Sequence, residues 1–480
     1  MLHCSSKGRK KNGNINILKY YQRFLFDSKK SVFCNKKKMG LFDFMKKKDD
    51  SGNSSGQSIS GSITSQSFGR YSDCNKSNAQ LDEWDLTVKL QKELKFKDSF
   101  RALLNYIGDP ALKNLTYEEK EGIIHFQFQQ GSKLVHGTSD GVQMVAESRI
   151  AAFEKPSLPV MRKLATLNYS LKYSWFSIHD NTFMIGTKAL HADSSPTKLY
   201  YALREIAINA DKQDDIIVDE FSSLQQTDSS CIVEIPTHEK EVKRKYLHQW
   251  IDETLKKAEE LDPVKSNGLI SYLLLTLNLR IDYLICPQGV LMDKIEKIQG
   301  IYSHKEKDYI LKNKEIISAF KEIRQLPDEA IFKSLYNTIS TFSIVSPANY
   351  KQVADFIFEE AKSRDFYLNN RNFDAIVVIY EYIAGYLFFN YGLSKPIHDL
   401  VNLFMHVMHN SFYQEMGLSV QYQDATGNLN KQKIVSAIQQ ILNENRKKYP
   451  LFSFRDSVLD FSSKYRFAMT FFAEFDFLKL

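Results

Sequence analysis

The run Gly122-Ile-Ile-His-Phe-Gln-Phe-Gln129 decides how this chain is read. Ile124, Phe126 and Phe128 alternate with His125, Gln127 and Gln129. A period of two belongs to a strand with one buried face and one face in water. Gly131-Ser132 follows, then Asp140-Gly141, and both are hairpin punctuation. Three strands are therefore expected, Gly122–Gln129, Ser132–Gly137 and Val142–Phe153, as an antiparallel meander ended by Pro156 and Pro159. Upstream, Phe100, Leu103, Leu104 and Ile107 recur at spacings of three and four and predict a helix over Asp98–Gly108, capped by Asp98. Downstream, Val160, Leu164, Leu167 and Leu171 stripe a second helix, Leu158–Leu171. Asp180-Asn181 turns a hairpin between Tyr173–Ile178 and Thr182–Leu190. Ser194 or Ser195 caps a closing helix, Ser195–Asp211, with Pro196 in its first turn.

The order is helix, three antiparallel strands, helix, two strands, helix. That is an α+β layer with helices against one sheet face. The order resembles the type III secretion chaperone-like superfamily. So do Leu158-Pro-Val-Met-Arg-Lys-Leu-Ala-Thr-Leu-Asn-Tyr169, Trp175-Phe-Ser-Ile178 and Ser195-Pro-Thr-Lys-Leu-Tyr-Tyr-Ala-Leu-Arg-Glu-Ile-Ala-Ile-Asn-Ala-Asp211. The nearest branch is the bacterial sensory-transduction-regulator proteins. There a helix carrying a Leu-Asn pair, here Leu167-Asn168, precedes a hairpin, and the closing helix ends near an Asp, here Asp211. The resemblance covers roughly residues 85–222 of the 480. It implies a binding or chaperone-like fold, often dimeric, with no catalytic residues to carry over. Secretion chaperones are small, acidic and single-domain, so the long region that follows here departs from them.

That region, 241–480, reads as an all-helical bundle domain after a linker at 223–240. Leu247, Ile251, Leu255 and Ala258 make a clean stripe. Further helices are expected at Ser266–Leu284, Asp328–Phe342, Asn372–Tyr391, Lys395–Phe412 and Arg455–Phe472, among others, with Asn372–Tyr391 as the central helix. Its most apolar part, Ala375–Phe389, is interrupted by Glu381 and reads as too short for a bilayer span.

The net charge of +7 is not spread over the fold. Residues 1–38 hold eleven Lys and Arg against Asp27, which leaves −3 for residues 39–480. Nucleic acid is therefore disfavoured as a partner. Met39-Gly-Leu-Phe-Asp-Phe-Met-Lys-Lys-Lys48 reads as a translation start, so residues 1–38 are expected to be upstream sequence. Leu41–Lys48 offers a short amphipathic foot for an anionic membrane surface, weighed against a frayed start. Residues 49–80 form a tether in which fourteen of the last thirty residues are Ser or Gly. Cys4, Cys34, Cys74, Cys231 and Cys286 show neither CxxC spacing nor a disulfide framework, which suits a reducing cytoplasm.

No pattern calls for a catalytic residue, a cofactor or a metal. His406 and His409 are three apart with His398 nearby, but a His pair on a Phe- and Met-rich helix reads as structural. Asp211, Asp214, Asp215, Asp219 and Glu220 read as a solvated acidic end of the closing helix, able to meet a basic partner. Trp175, with its strand neighbour Ser177, would lie on any sheet face left free of helices and so mark an interaction patch. The candidate partner-binding residues are thus Trp175, Ser177, Asp211, Asp214 and Asp215. The expected function is a non-enzymatic, chaperone-like bacterial module that recruits a protein partner or a second copy of itself. An enzyme site among the C-terminal helices and a peripheral membrane adaptor are the alternatives.

Overall fold

A computed structural model of the chain describes residues 68–69, 74–155, 157–227 and 230–479. Residues 1–38, the Leu41–Lys48 foot, most of the 49–80 tether and Pro156 lie outside them. Ser77 and Gln80 form a capping box that opens α1 (Asn78–Lys92), a separate helix before α2 (Phe96–Ile107). Asp98 does not cap α2. Lys95 holds the cap position, and Asp98 sits in the first turn and pairs with Arg101.

The sheet has a strand more at its edge than the three expected. β1 (Leu115–Lys120) is almost wholly exposed and precedes β2 (Ile123–Gly131), β3 (Lys133–Ser139) and β4 (Gln143–Phe153). After α3 (Leu158–Ser170) come β5 (Trp175–His179) and β6 (Thr182–Leu190), then α4 (Pro196–Glu220), capped by Ser195. The spatial order is β1-β2-β3-β4-β6-β5, antiparallel throughout. Gln130 pairs with Lys133, so Gly131-Ser132 is a two-residue loop, with Gly131 at φ +56°. Glycine is required there because a side chain would crowd this left-handed backbone. Asp180 and Asn181 both hold positive φ in the β5–β6 turn, as a two-residue hairpin loop needs.

Ile124, Phe126, Phe128, Val135, Met144 and Ile185 point to the helical side and bury against Phe100, Leu103, Leu199 and Leu203. Among the described residues no helix covers the opposite face, so the β2 alternation survives as buried and exposed positions. α4 runs nine residues past the expected end at Asp211.

The C-terminal region is mostly rather than wholly helical. The stretch at 223–240 contributes β7 (Leu224–Gln226), which pairs with β4, and β8 (Val233–Glu234). Then follow α5 (Thr237–Glu259), α6 (Asn267–Arg280), a π-turn at Ile281–Ile285, α7 (Gly289–Ser303), α8 (Tyr309–Arg324) and α9 (Asp328–Lys333). The helix expected over Asp328–Phe342 stops at Lys333. The chain turns into β9 (Tyr336–Asn337), paired with β8, and β10 (Ile339–Ser340), paired with β2 of the large sheet. Phe342, 1% exposed, enters the sheet half's core, 5.5 Å from the Phe128 ring and 5.3 Å from that of Tyr200. The two halves are therefore joined by a shared sheet and by Phe342, which the mainly helical region lends to the core of the sheet half.

Beyond lie α10 (Tyr350–Ala361), α11 (Arg364–Asn369), α12 (Phe373–Asn390), α13 (Lys395–Met408), α14 (Asn410–Glu415), α15 (Lys431–Asn445) and α16 (Lys464–Ala473). Lys395–Phe412, expected as one helix, breaks at His409, and Arg455–Phe472 has only a 3-10 turn before α16. Among the described residues, two helices are long and apolar enough to cross a membrane, Asn267–Ile285 and Phe373–Asn390. The second contains the run Ala375–Phe389 with Glu381 inside it. Both pack inside the protein, with 83% and 61% of their apolar windows buried.

Candidate functional site

The open sheet face is built by register. One row crosses all six long strands: Thr116, Gln127, His136, Glu147, Gly186, Trp175. The next row holds Glu118, His125, Thr138, Val145 and Lys188. Glu118 thus sits opposite His125 and Glu147 opposite His136, acid against base in each pair. Glu118, His125, Gln127, His136, Thr138 and Glu147 line a shallow dish of about 640 Å³. Trp175 is 46% exposed and stands beyond the dish, at the far end of the first row. Ser177 is half-buried and faces Met184 across the β5–β6 pair.

Two side chains fix the strand that carries Trp175. Asn168, on α3, accepts from the Phe176 N–H at 2.6 Å and donates to the Phe176 carbonyl at 3.0 Å. Its carboxamide stands in for a neighbouring strand at the sheet's edge. Glu205, on α4, accepts from the N–H groups of Lys172, Tyr173 and Ser174 and from the Ser174 hydroxyl, all within 2.9 Å. The β5 edge is therefore held and partly closed to strand addition, while the face beside it stays accessible.

The acidic group on α4 is not a solvated helix end. Asp219 and Glu220 are exposed, but Asp214 is fully enclosed and Asp211 and Asp215 are half-buried. The extra length of α4 carries them into the seam between the two halves. Asp214 pairs with the equally enclosed Lys133 at 3.2 Å, and Lys133 also donates to the carbonyls of Ile150 and Thr227. Asp211 accepts from the Ser132 N–H at 2.9 Å, and the Ser132 hydroxyl donates to Asp214 at 2.8 Å. Gln226 donates to both Asp214 and Asp215, and the Tyr336 hydroxyl donates to Asp215 at 3.2 Å. Burial and the Asp214 carboxylate push Asp211 up to about 7, against the pull of the Ser132 N–H. Burial and the same neighbour push Asp215 up to about 6, against Tyr336 and Lys133. The five candidate residues therefore fall in two places: Trp175 and Ser177 on β5, and the three aspartates in the seam. Ser132, Lys133, Gln226 and Tyr336 had no local signal in the sequence, since only the fold brings them to α4.

The histidines of α13 do not converge. His406 stacks on Tyr413 with ring centres 4.1 Å apart, and burial holds it down at about 4. His409 Nε2 lies 2.9 Å from Glu381 Oε1, and Arg280 holds both oxygens of that carboxylate. Among the described residues no three His, Cys, Asp or Glu side chains are arranged to hold a metal ion. A hollow of about 300 Å³ in the helical half is lined by Tyr283, Phe388, Leu393, Asp282, Lys395 and His398. Gly69 and Asn75 border it.

No protein-family model matches this chain, and no curated protein is similar to it.

Proposed function

We propose that the chain is a non-enzymatic protein-interaction module of the secretion-chaperone-like kind, and that it receives a protein partner on its open sheet face. The observation that carries this reading is Trp175: a large aromatic, half in water, on a strand made rigid by Asn168 and Glu205. Aromatic anchors on rigid supports beside polar, pairing side chains are what interfaces concentrate. The acid–base rows next to it supply charge complementarity for one partner over another.

Deleting residues 85–222 would be a poor test, because Phe342 and β10 build into that half and would be stripped of their core. Surface substitutions are sounder. Full-length chain and a Trp175→Ala, His136→Ala variant are used as baits in lysate of the native host. The expected result is a defined protein captured by the first and lost with the second, at unchanged melting temperature. Equal capture by both would remove the face as the binding surface.

A further inference from the structure

The seam between the halves concentrates negative charge that its surroundings do not neutralise. Asp211, Asp214 and Asp215 project from one turn of α4. Among the described residues Lys133 of β3 is the one cation that forms an ion pair with them, and two of its three hydrogens go to the carbonyls of Ile150 and Thr227. The remaining donors are neutral: Ser132, Gln226 of β7 and Tyr336 of β9. Lys333, at the end of α9, acts on Asp215 through charge alone. At the rim, Lys212 of α4 is occupied by Glu296 of α7. Asp214 Oδ1 is buried with no hydrogen-bond partner. Asp211 and Asp214 both lie within reach of the single Ser132 hydroxyl hydrogen. Carboxyls this crowded and this short of donors repel one another when all are ionised, which favours holding protons among them.

These carboxyls also hold the seam together. Asp211 grips the β2–β3 hairpin tip through Ser132. Asp215 reaches the helical half, bonding Tyr336 and lying close to Gly289 at the N-terminus of α7. We propose that the seam is a proton-operated joint, latched while Asp211 and Asp215 carry protons and loosened as they ionise.

The direction follows from linkage. Opening the seam returns the carboxyls to water, where their pKa is about 3.9. Their closed-state values are raised, to about 7 for Asp211 and about 6 for Asp215. The closed seam thus binds more protons than the open one between those limits. Its advantage is complete below about pH 4 and is lost as pH rises through the closed-state values.

Hydrogen exchange of the full chain, as protection factors corrected for the intrinsic pH dependence, reads this out. Amides at 130–133, 224–227 and 336–342 are expected to lose roughly tenfold protection per pH unit between pH 6 and 7, and to level off above about pH 7.5. Those of α12, away from the seam, stay flat. In Asp211→Asn, which keeps an uncharged carboxamide at all pH, the loss between pH 6 and 7 should shrink to about twofold, the share left to Asp215. A flat wild-type profile would overturn the proposal without any variant. So would an Asp211→Asn profile that keeps the wild-type slope. If Asp211→Asn does not fold, Asp215→Asn takes its place and must roughly halve the logarithmic slope between about pH 4 and 6, leaving the share of Asp211; an unchanged slope there overturns the joint.

Discussion

Gly131 and Asp211 occupy each other's space. A Cβ placed on Gly131 would fall 1.8 Å from Asp211 Oδ1. The glycine therefore does two things, holding φ +56° for the hairpin and leaving room for the carboxyl that caps Ser132. Gly131→Ala is expected to cost about 1–3 kcal/mol from the backbone conformation, plus the displacement of Asp211. Asp211→Ala, made in the Gly131→Ala background, should cost less than it does alone, because the carboxyl that clashes with the new methyl is gone. Urea titration of the four species measures the coupling. Additive losses would mean that the contact is unimportant.

Phe342 is the bolt between the halves. It comes from the mainly helical region yet is buried in the sheet half, against Phe128 and Tyr200. Phe342→Ala should cost about 3–5 kcal/mol. Because the loss falls at a shared core, thermal unfolding should separate into two transitions, the sheet half melting first. A single transition that merely shifts would show that the halves stay coupled through β10 and the seam alone.

Much of the sheet half was legible because its signal is local. Ile124, Phe126 and Phe128 show their face by alternation, and Gly131, Gly141 and Asp180-Asn181 mark turns that the backbone then uses. β1 was not legible, since Thr116-Tyr-Glu-Glu-Lys120 lies in solvent and carries no buried period to read. The end of α4 was misread for a related reason. Asp211, Asp214 and Asp215 look solvated in sequence, and nothing local shows that Lys133 and Tyr336 will close over them. The strand at Ile339–Ser340 depends wholly on a distant partner, β2, so helical propensity upstream gave the wrong state. Trp175 was legible as an exposed aromatic. The Asn168 clamp that makes its strand rigid is a tertiary contact, visible only in the fold.

The helical half has its own buried charge, and it obeys the opposite rule to the seam. Burial would raise Glu381, but Arg280 and His409 outweigh burial and hold it well below the usual carboxylate range. A lowered folded pKa contributes stability above the unfolded value of about 4.3 and loses it as pH falls through the folded one. Glu381→Gln would leave Arg280 uncompensated between α6 and α12. It should cost about 3–5 kcal/mol at pH 7 and much less near pH 2, by urea titration at the two pH values. A loss independent of pH would point to packing, not charge, as the cause.

Asn168 protects the sheet from its own edge. Its carboxamide satisfies the outward N–H and carbonyl of Phe176, so β5 presents a partly blocked edge beside exposed Trp175 and Ile178. Asn168→Ala would free both groups next to apolar side chains, the setting in which strands of two copies pair. The expected outcome is a stability loss of about 1–3 kcal/mol together with concentration-dependent self-association in sedimentation velocity. Asn168→Asp is the informative comparison. It still accepts from the Phe176 N–H but sets a second oxygen against the Phe176 carbonyl. It should lose stability as Ala does, while its charge at the edge keeps the chain from self-associating. Self-association equal to that of Asn168→Ala would mean that the edge is open for a reason other than the missing clamp.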